Sequence, residues 1–107
     1  MNLLNKKSIE RIGVKPMDSS EIKLYISQLG KSWEIVENKK ITFTFKFKTF
    51  REAIDFVNKV AVLAESENHH PNIHILYNRV KIVLTTHSVG GLSKNDFIVA
   101  AKIENLV

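Results

Sequence analysis

The sequence has no cysteine, only two prolines and four glycines, and no long apolar run. The absence of cysteine excludes disulfide bonds, thiolate metal sites and a cysteine nucleophile, and it suits a reducing compartment. No apolar run reaches the roughly 18 residues that a membrane-spanning helix needs, and residues 1–7 lack the apolar core of a signal peptide. We therefore expect a cytoplasmic protein with no membrane partner. The length of 107 residues and a hydrophobic fraction of 44% predict a single globular domain.

Positive charge is in excess and is unevenly distributed. The formal net charge is +5, from 16 Lys and Arg residues against 11 Asp and Glu residues. Residues 1–17 carry a net charge of +3 and residues 31–51 carry +4, whereas the half with the histidines is not basic. A basic surface can attract nucleic acid, but no recognition-helix or base-stacking motif accompanies this charge. We therefore do not expect nucleic acid as a partner, although charge alone leaves that alternative open.

Hydrophobic periodicity divides the chain into an arm and a domain. Residues 1–17 show no sustained period and predict a loosely structured arm, and residues 18–107 predict one domain. In chain order, the domain is predicted to contain a helix over 18–29, strands over 33–36 and 41–48, a helix over 50–65, strands over 73–77 and 80–84, and a closing helix after 93. This α-β-β-α-β-β-α order predicts the α+β class, as a two-layer domain with a four-stranded antiparallel sheet and the helices on one face.

Local patterns predict which faces of these elements are buried. Phe43, Phe45 and Phe47 alternate with polar residues, so one face of their strand is expected to be buried. The apolar stripe of the 50–65 helix is predicted to consist of Phe50, Ile54, Val57, Ala61 and Ala64. The open face of the sheet must be solvated or shared with another subunit. Strands that are partly apolar on both faces favour the shared arrangement.

Three of the four histidines lie where predicted elements end. His69 and His70 precede Pro71 at the helix-to-strand corner, and His87 follows the last strand. A hairpin centred on Asn78 would bring His87 close to that corner. Clustered histidines can give and take protons near neutral pH, which favours general acid–base catalysis. Surface or capping histidines are one alternative. A zinc site is the other, and it is disfavoured because adjacent histidines rarely direct both rings to one ion.

The histidines belong to a longer pattern with fixed spacing. The chain fits E-x3-H-H-P-x5-Y-x9-H-x8-D, formed by Glu65, His69, His70, Pro71, Tyr77, His87 and Asp96. This pattern resembles the signature of the pterin-4a-carbinolamine dehydratases. The likeness extends to Trp33, the strand from Phe43 to Phe47 and the segment Gly91-Leu92-Ser93. It covers residues 19–107 and leaves only the arm outside.

The resemblance implies an activity and a set of site residues. The activity is that of a hydro-lyase, 4a-hydroxytetrahydrobiopterin dehydratase, which gives quinonoid dihydropterin in the recycling of tetrahydropterin and needs no cofactor and no metal. His69 and His87 match the acid–base positions, and His70 matches a position that mainly orients the pterin. The expected substrate-binding residues are Asn68, Thr85, Thr86 and Ser88, together with Glu65, which either orients a histidine or is solvated. Asp96 is expected to cap the last helix with Ser93.

The resemblance also implies partners. Members of this family form homodimers or homotetramers and act after aromatic amino-acid hydroxylases. Some members are also dimerisation cofactors of a homeodomain transcription factor in animals, so the alternative function is a non-catalytic dimerisation or transcriptional cofactor module. The intact set of His69, His70 and His87 favours the enzyme, because a module that only bridged partners would not need it.

Overall fold

The computed structural model describes residues 2–107 as three α-helices, four strands and two short 3-10 helices. The α-helices are α1 (Ser19–Ile26), α2 (Phe50–Glu67) and α3 (Lys94–Glu104), and the strands are β1 (Glu34–Val36), β2 (Lys40–Lys46), β3 (Asn72–Leu76) and β4 (Arg79–Leu84). The 3-10 helices, Leu3–Asn5 and His87–Val89, were not predicted. The predicted α+β class and element order are confirmed. Within residues 2–107, no helix is long and apolar enough to cross a membrane.

The four strands form one antiparallel sheet in the order β1-β2-β4-β3. Phe43 lies opposite Ile82 and Phe45 lies opposite Val80, so the alternation of β2 is matched by that of β4. The most deeply buried side chains of these two strands are Ile41, Phe45, Val80, Ile82 and Leu84. Because side chains alternate between faces, these residues share the face on which the helices pack.

The opposite face of the sheet is polar where β2 and β4 pair. Thr44 lies opposite Lys81 and Lys46 lies opposite Arg79, and all four residues are exposed. This part of the open face is therefore less apolar than the sequence analysis expected. Exposed apolar and aromatic side chains lie instead at the outer edge, at the end of β3 and in the turn after it: Ile75, Leu76 and Tyr77.

The buried face of α2 matches the predicted one only in part: Ala64 is buried and Val57 packs against the core, as predicted. The predicted stripe included Phe50 and Ala61, but both are exposed. The residues of α2 that are buried are Ala53, Phe56, Val60, Ala64 and Glu67. The ring of Phe56 lies 4.8 Å from that of Phe45 and 5.0 Å from that of Phe47, between their centroids. These aromatic contacts with the sheet orient the helix, and a helical pattern alone could not identify them.

α1 ends at Ile26, earlier than the predicted end at Leu29. The N–H groups of Gln28 and Leu29 donate to carbonyl oxygens three residues back, both at 3.1 Å. These bonds tighten the chain after the helix. Leu29 therefore remains buried in the core although it lies outside the α-helix.

Residues 2–17 lie against the domain and form specific contacts with it. Leu3 is buried in the core. The Ser8 N–H donates to Glu67 Oε1 at 2.8 Å. The Asn95 side chain accepts from the Ile9 N–H at 3.2 Å and donates to the Ile9 carbonyl at 2.6 Å. The segment has little regular structure, but these contacts hold it in place, which the sequence did not predict.

Candidate active site

The corner between α2 and β3 places His69 and His70 in different surroundings. α2 ends at Glu67, and Asn68 has a left-handed backbone with φ 51° and ψ 40°. The His69 N–H donates to the Ala64 carbonyl at 3.2 Å and closes the turn. Asparagine adopts this conformation more readily than most residues. After this turn, the two histidine side chains differ in exposure: 11% of the His69 side chain is exposed, against 55% of the His70 side chain.

A buried carboxylate holds the His69 ring. His69 Nε2 lies 2.7 Å from Asp96 Oδ1, and Asp96 is fully buried. Asp96 Oδ2 accepts from the Thr86 hydroxyl at 2.8 Å and from the Ser93 N–H at 3.0 Å. A carboxylate on one ring nitrogen fixes the orientation of a histidine and favours the tautomer with its proton on that nitrogen. His69 Nδ1 is then the nitrogen available to a substrate.

Asp96 therefore has two roles, of which the sequence analysis predicted one. It forms the expected capping box of α3 with Ser93. Its contact with His69 was not predicted, because His69 lies 27 residues away in the chain. Capping uses only Oδ2, which leaves Oδ1 to contact His69. The sequence feature that pointed to a role beyond capping was the fixed spacing of Asp96 after His87 in the family pattern.

His70 binds a carboxylate at the surface. His70 Nε2 is hydrogen-bonded to Glu65 Oε2, and 77% of the Glu65 side chain is exposed. Of the two interpretations left open for Glu65, this contact favours the one in which it orients a histidine. An exposed pair of this kind contributes about 0–1 kcal/mol, so it limits the freedom of His70 only weakly.

His87 begins the second 3-10 helix and is exposed. The preceding residue, Thr86, pairs with Gly91 across the loop, with its N–H donating to the Gly91 carbonyl at 2.8 Å. Through Thr86, the His87 loop is joined to the same Asp96 carboxylate that holds His69. Within residues 2–107, no hydrogen bond links the rings of His69 and His87. The structure thus connects the two segments through one buried carboxylate.

The predicted substrate-binding residues differ in their availability. Asn68 and Ser88 are exposed. The Thr85 hydroxyl donates to the Lys39 carbonyl at 2.6 Å and ties the end of β4 to the turn between β1 and β2. Thr86 is 4% exposed, and its hydroxyl is bonded to Asp96 and to Ser93. Both contacts of the Thr86 hydroxyl are therefore made within the protein, and its contact with substrate stays a prediction.

Metal-ligating side chains are not clustered among the described residues. Within residues 2–107, no group of three or more His, Asp or Glu side chains could hold one. The Nε2 atoms of His69 and His70 bind different carboxylates, on different elements. The arrangement is suited to proton transfer, because it combines one fixed imidazole with two exposed ones.

Comparison with known proteins identifies sequence relatives over nearly the whole chain. The sequence profile of the family described as Pterin 4 alpha carbinolamine dehydratase matches residues 15–106. An inferred pterin-4-alpha-carbinolamine dehydratase of Alkaliphilus metalliredigens is 44% identical over 104 residues, which cover 96% of this chain and 94% of that protein. A protein of the same description from Rubrobacter xylanophilus is 43% identical, over 88% of this chain and 87% of that protein.

Solved structures show the same fold. A crystal structure described as a transcriptional coactivator/pterin dehydratase from Brucella melitensis matches with a TM-score of 0.80 and 34% identity, over 86% of this chain and 98% of that chain. A pterin dehydratase-like protein described as a RuBisCO assembly factor in the alpha-carboxysome matches with a TM-score of 0.62 and 23% identity, over 72% of this chain and 90% of that chain. At that identity, the second likeness concerns the fold alone.

Proposed function

Because the chain belongs to the pterin-4a-carbinolamine dehydratase family, we propose that it removes water from 4a-hydroxytetrahydropterin and releases quinonoid dihydropterin. In this reaction the bond between C4a and the hydroxyl oxygen breaks, and the hydroxyl group takes up a proton and leaves as water. The neighbouring N5 loses its proton as the double bond between C4a and N5 forms. The reaction therefore needs one group that accepts a proton and one that donates a proton.

The observation that carries this proposal is the contact between His69 and Asp96. His69 Nε2 is held at 2.7 Å by a buried carboxylate, which leaves Nδ1 to accept the proton from N5. The imidazolium that forms is stabilised by the adjacent carboxylate, as in other sites where a carboxylate orients a histidine base. We assign the role of base to His69 and the role of positioning residue to Asp96.

His87 and His70 complete the assignment. His87 is exposed and lies in the loop that Thr86 ties to Asp96. We therefore assign it the role of general acid, which donates a proton to the departing hydroxyl group. His70, weakly held by Glu65, orients the pterin. Asn68, Ser88 and Thr85 are proposed to bind the polar edge of the pterin ring. No step requires a metal or a cofactor, because each is a proton transfer or the departure of water.

Ultraviolet absorbance gives the rate of dehydration for the wild-type protein, His69→Ala and His87→Ala. We expect each variant to lose about 10²–10⁴-fold in kcat, the usual contribution of a general acid or base. His74→Ala is the matched control, because His74 lies on exposed β3 and outside this site. We expect His74→Ala to retain the wild-type rate, and circular dichroism checks that all variants are folded.

Two outcomes would contradict the proposal. If the wild-type protein does not exceed the uncatalysed rate, the enzymatic function fails and the cofactor-module alternative takes its place. If the wild-type protein is active but His69→Ala is unaffected while folded, the assignment of His69 as base is wrong.

The proposed role in the cell rests on the same family membership. We propose that the protein acts in the cytoplasm, recycles tetrahydrobiopterin or a related tetrahydropterin after an aromatic amino-acid hydroxylase, and forms a homodimer or homotetramer. The exposed side chains of Ile75, Leu76 and Tyr77 support self-association, because an unpaired edge strand with apolar side chains is a surface that binds other chains. Light scattering coupled to size-exclusion chromatography measures the number of subunits, and a monomer would contradict this assembly.

A further inference from the structure

A groove between the amino-terminal arm and helices α1 and α3 has no part in the proposed reaction. Its volume is about 480 Å³, which is within the range of small-molecule sites. Tyr25 and Ile98 form its apolar floor and are 6% and 3% exposed. Among the residues that the structure describes, no carboxylate lines it, and the cationic side chains that do are Lys6, Lys7, Arg11 and Lys94.

Two of these cations are held in place without being neutralised. Arg11 Nε donates to the Asn95 side-chain oxygen at 3.0 Å, and Lys7 Nζ donates to the Ser66 carbonyl at 2.9 Å. Both acceptors are uncharged, so each hydrogen bond restrains a cationic side chain without forming a salt bridge. Preorganised cations are better anion ligands than mobile ones, because less conformational entropy is lost on binding.

The groove has no internal counter-ion. Within residues 2–107, Lys6 and Lys94 form no salt bridge. The carboxylate of Glu67 feels the charge of Lys7, but it is already bonded to Lys102 and to the Ser8 N–H. Like charges gathered at one groove repel each other, and a bound anion would relieve that repulsion.

Tyr25 adds a polar group to the apolar floor. Its ring is buried and packs 5.6 Å from the ring of Phe97, between centroids. Its hydroxyl forms no hydrogen bond with any other residue of the described chain, although Tyr25 lines the groove. The hydroxyl is not a buried group that lacks a partner, so it bonds to water at the groove and is accessible to a ligand there.

We propose that this groove binds a small organic anion with an apolar body. The charged group of the ligand lies among the four cations, and its apolar part lies on Tyr25 and Ile98. An inorganic anion would leave the apolar floor unused, and a neutral apolar molecule would leave the cations uncompensated. Both features together select an amphiphilic anion such as a medium-chain carboxylate.

Three probes separate these possibilities: octanoate, 1-octanol and inorganic phosphate, each titrated into the ¹⁵N-labelled full-length protein and followed by NMR. We expect octanoate to bind at least about tenfold more tightly than either of the others, since it alone uses both features. The amide signals that shift should belong to residues 6–11 and 94–98. If phosphate binds as tightly as octanoate, the groove is only a cationic surface. If octanol binds as tightly as octanoate, the groove is only an apolar patch. Either result overturns the proposal.

Charge-matched variants test the location of the site. Lys6→Gln combined with Lys94→Gln removes two groove cations that form no described salt bridge, and we expect it to weaken octanoate binding by about tenfold or more. The control, Lys15→Gln combined with Lys23→Gln, removes two exposed charges outside the groove and should leave the affinity unchanged. Equal weakening in both double variants would mean that net charge, and not this groove, attracts the anion. Because the readout is binding, a failure here is distinguishable from a failure of the dehydratase proposal.

Discussion

His69 and His70 are neighbours in the chain, and each is hydrogen-bonded to a carboxylate through Nε2, but their surroundings differ. The partner of His69 is Asp96, which is fully buried and accepts from two further donors. The partner of His70 is Glu65, which is exposed and whose carboxylate accepts from no other residue among those described. Two contacts of the same type therefore differ in how firmly they hold an imidazole.

The physical reason is the free-energy cost of leaving each carboxylate without a hydrogen-bond partner. A buried carboxylate that loses a partner cannot replace it with water, so its hydrogen bonds are maintained. An exposed pair exchanges freely with solvent and contributes little. The solvent-shielded side of the α2 end also holds a second fixed pair, Glu67 and Lys102, at 2.8 Å. The structure thus separates a rigid side of this corner, suited to proton transfer, from an adaptable side, suited to substrate binding.

Among changes to the carboxylates of the two pairs, the largest expected effect comes from removing the charge that holds His69. Asp96→Asn keeps a side-chain oxygen but loses the carboxylate, so we expect kcat to fall by about tenfold to thousandfold. KM should stay close to the wild-type value, because Asp96 is buried and acts through His69. Steady-state kinetics measure both constants, and urea unfolding checks stability. Asp55→Asn, on the exposed side of α2, is the control. A folded Asp96→Asn protein with the wild-type kcat would mean that Asp96 is only a helix cap.

The second prediction concerns the buried pair of Glu67 and Lys102 and the way its contribution to stability depends on pH. Burial alone would raise the pKa of Glu67. Two effects outweigh burial and hold this pKa below its ordinary value of 4.5: the hydrogen bonds from Lys102 and the Ser8 N–H, and the positive charges of Lys102 and Lys7. A carboxyl group whose pKa is lowered by folding stabilises the protein above its unfolded pKa, and this stabilisation is lost as the pH falls through the folded pKa.

Glu67→Gln should therefore lower the free energy of unfolding by about 1–3 kcal/mol near neutral pH. The difference from the wild type should shrink as the pH falls from about 4.5 through the lowered pKa of the folded state, where the wild-type carboxyl group also becomes uncharged. Urea unfolding at a series of pH values measures this difference. Glu34→Gln, on exposed β1, serves as the control. A difference that does not vary with pH would show that the charge of Glu67 is not the stabilising feature.

The smallest expected effect comes from the exposed pair. Glu65→Gln should change the free energy of unfolding by about 0.5 kcal/mol or less, because both side chains of this pair are mostly solvated. We expect kcat to remain within about threefold of the wild type, with any change appearing in KM. A loss of kcat as large as that of Asp96→Asn would contradict the division into a rigid and an adaptable side.

Several features of the site were predictable because they depend on residues close together in the chain. The cap of α3 by Ser93 with Asp96 was recognisable as a local pattern, and the capping box forms. The alternation in β2 correctly predicted that Phe45 is buried. The order of the elements followed from these patterns and from the turns between them.

The amino-acid sequence by itself determined the main helices and strands, their order and the position of His69 and His70 where α2 gives way to β3, because periodicity, caps and turns are set within a few residues. Only the tertiary structure decided that His69 turns towards Asp96, 27 residues away, and that Glu67 meets Lys102, 35 residues away. It also decided which face of α2 is buried, through the contacts of Phe56 with the sheet. These choices depend on how separate elements pack, since a side chain's burial is settled by the neighbours that folding brings to it.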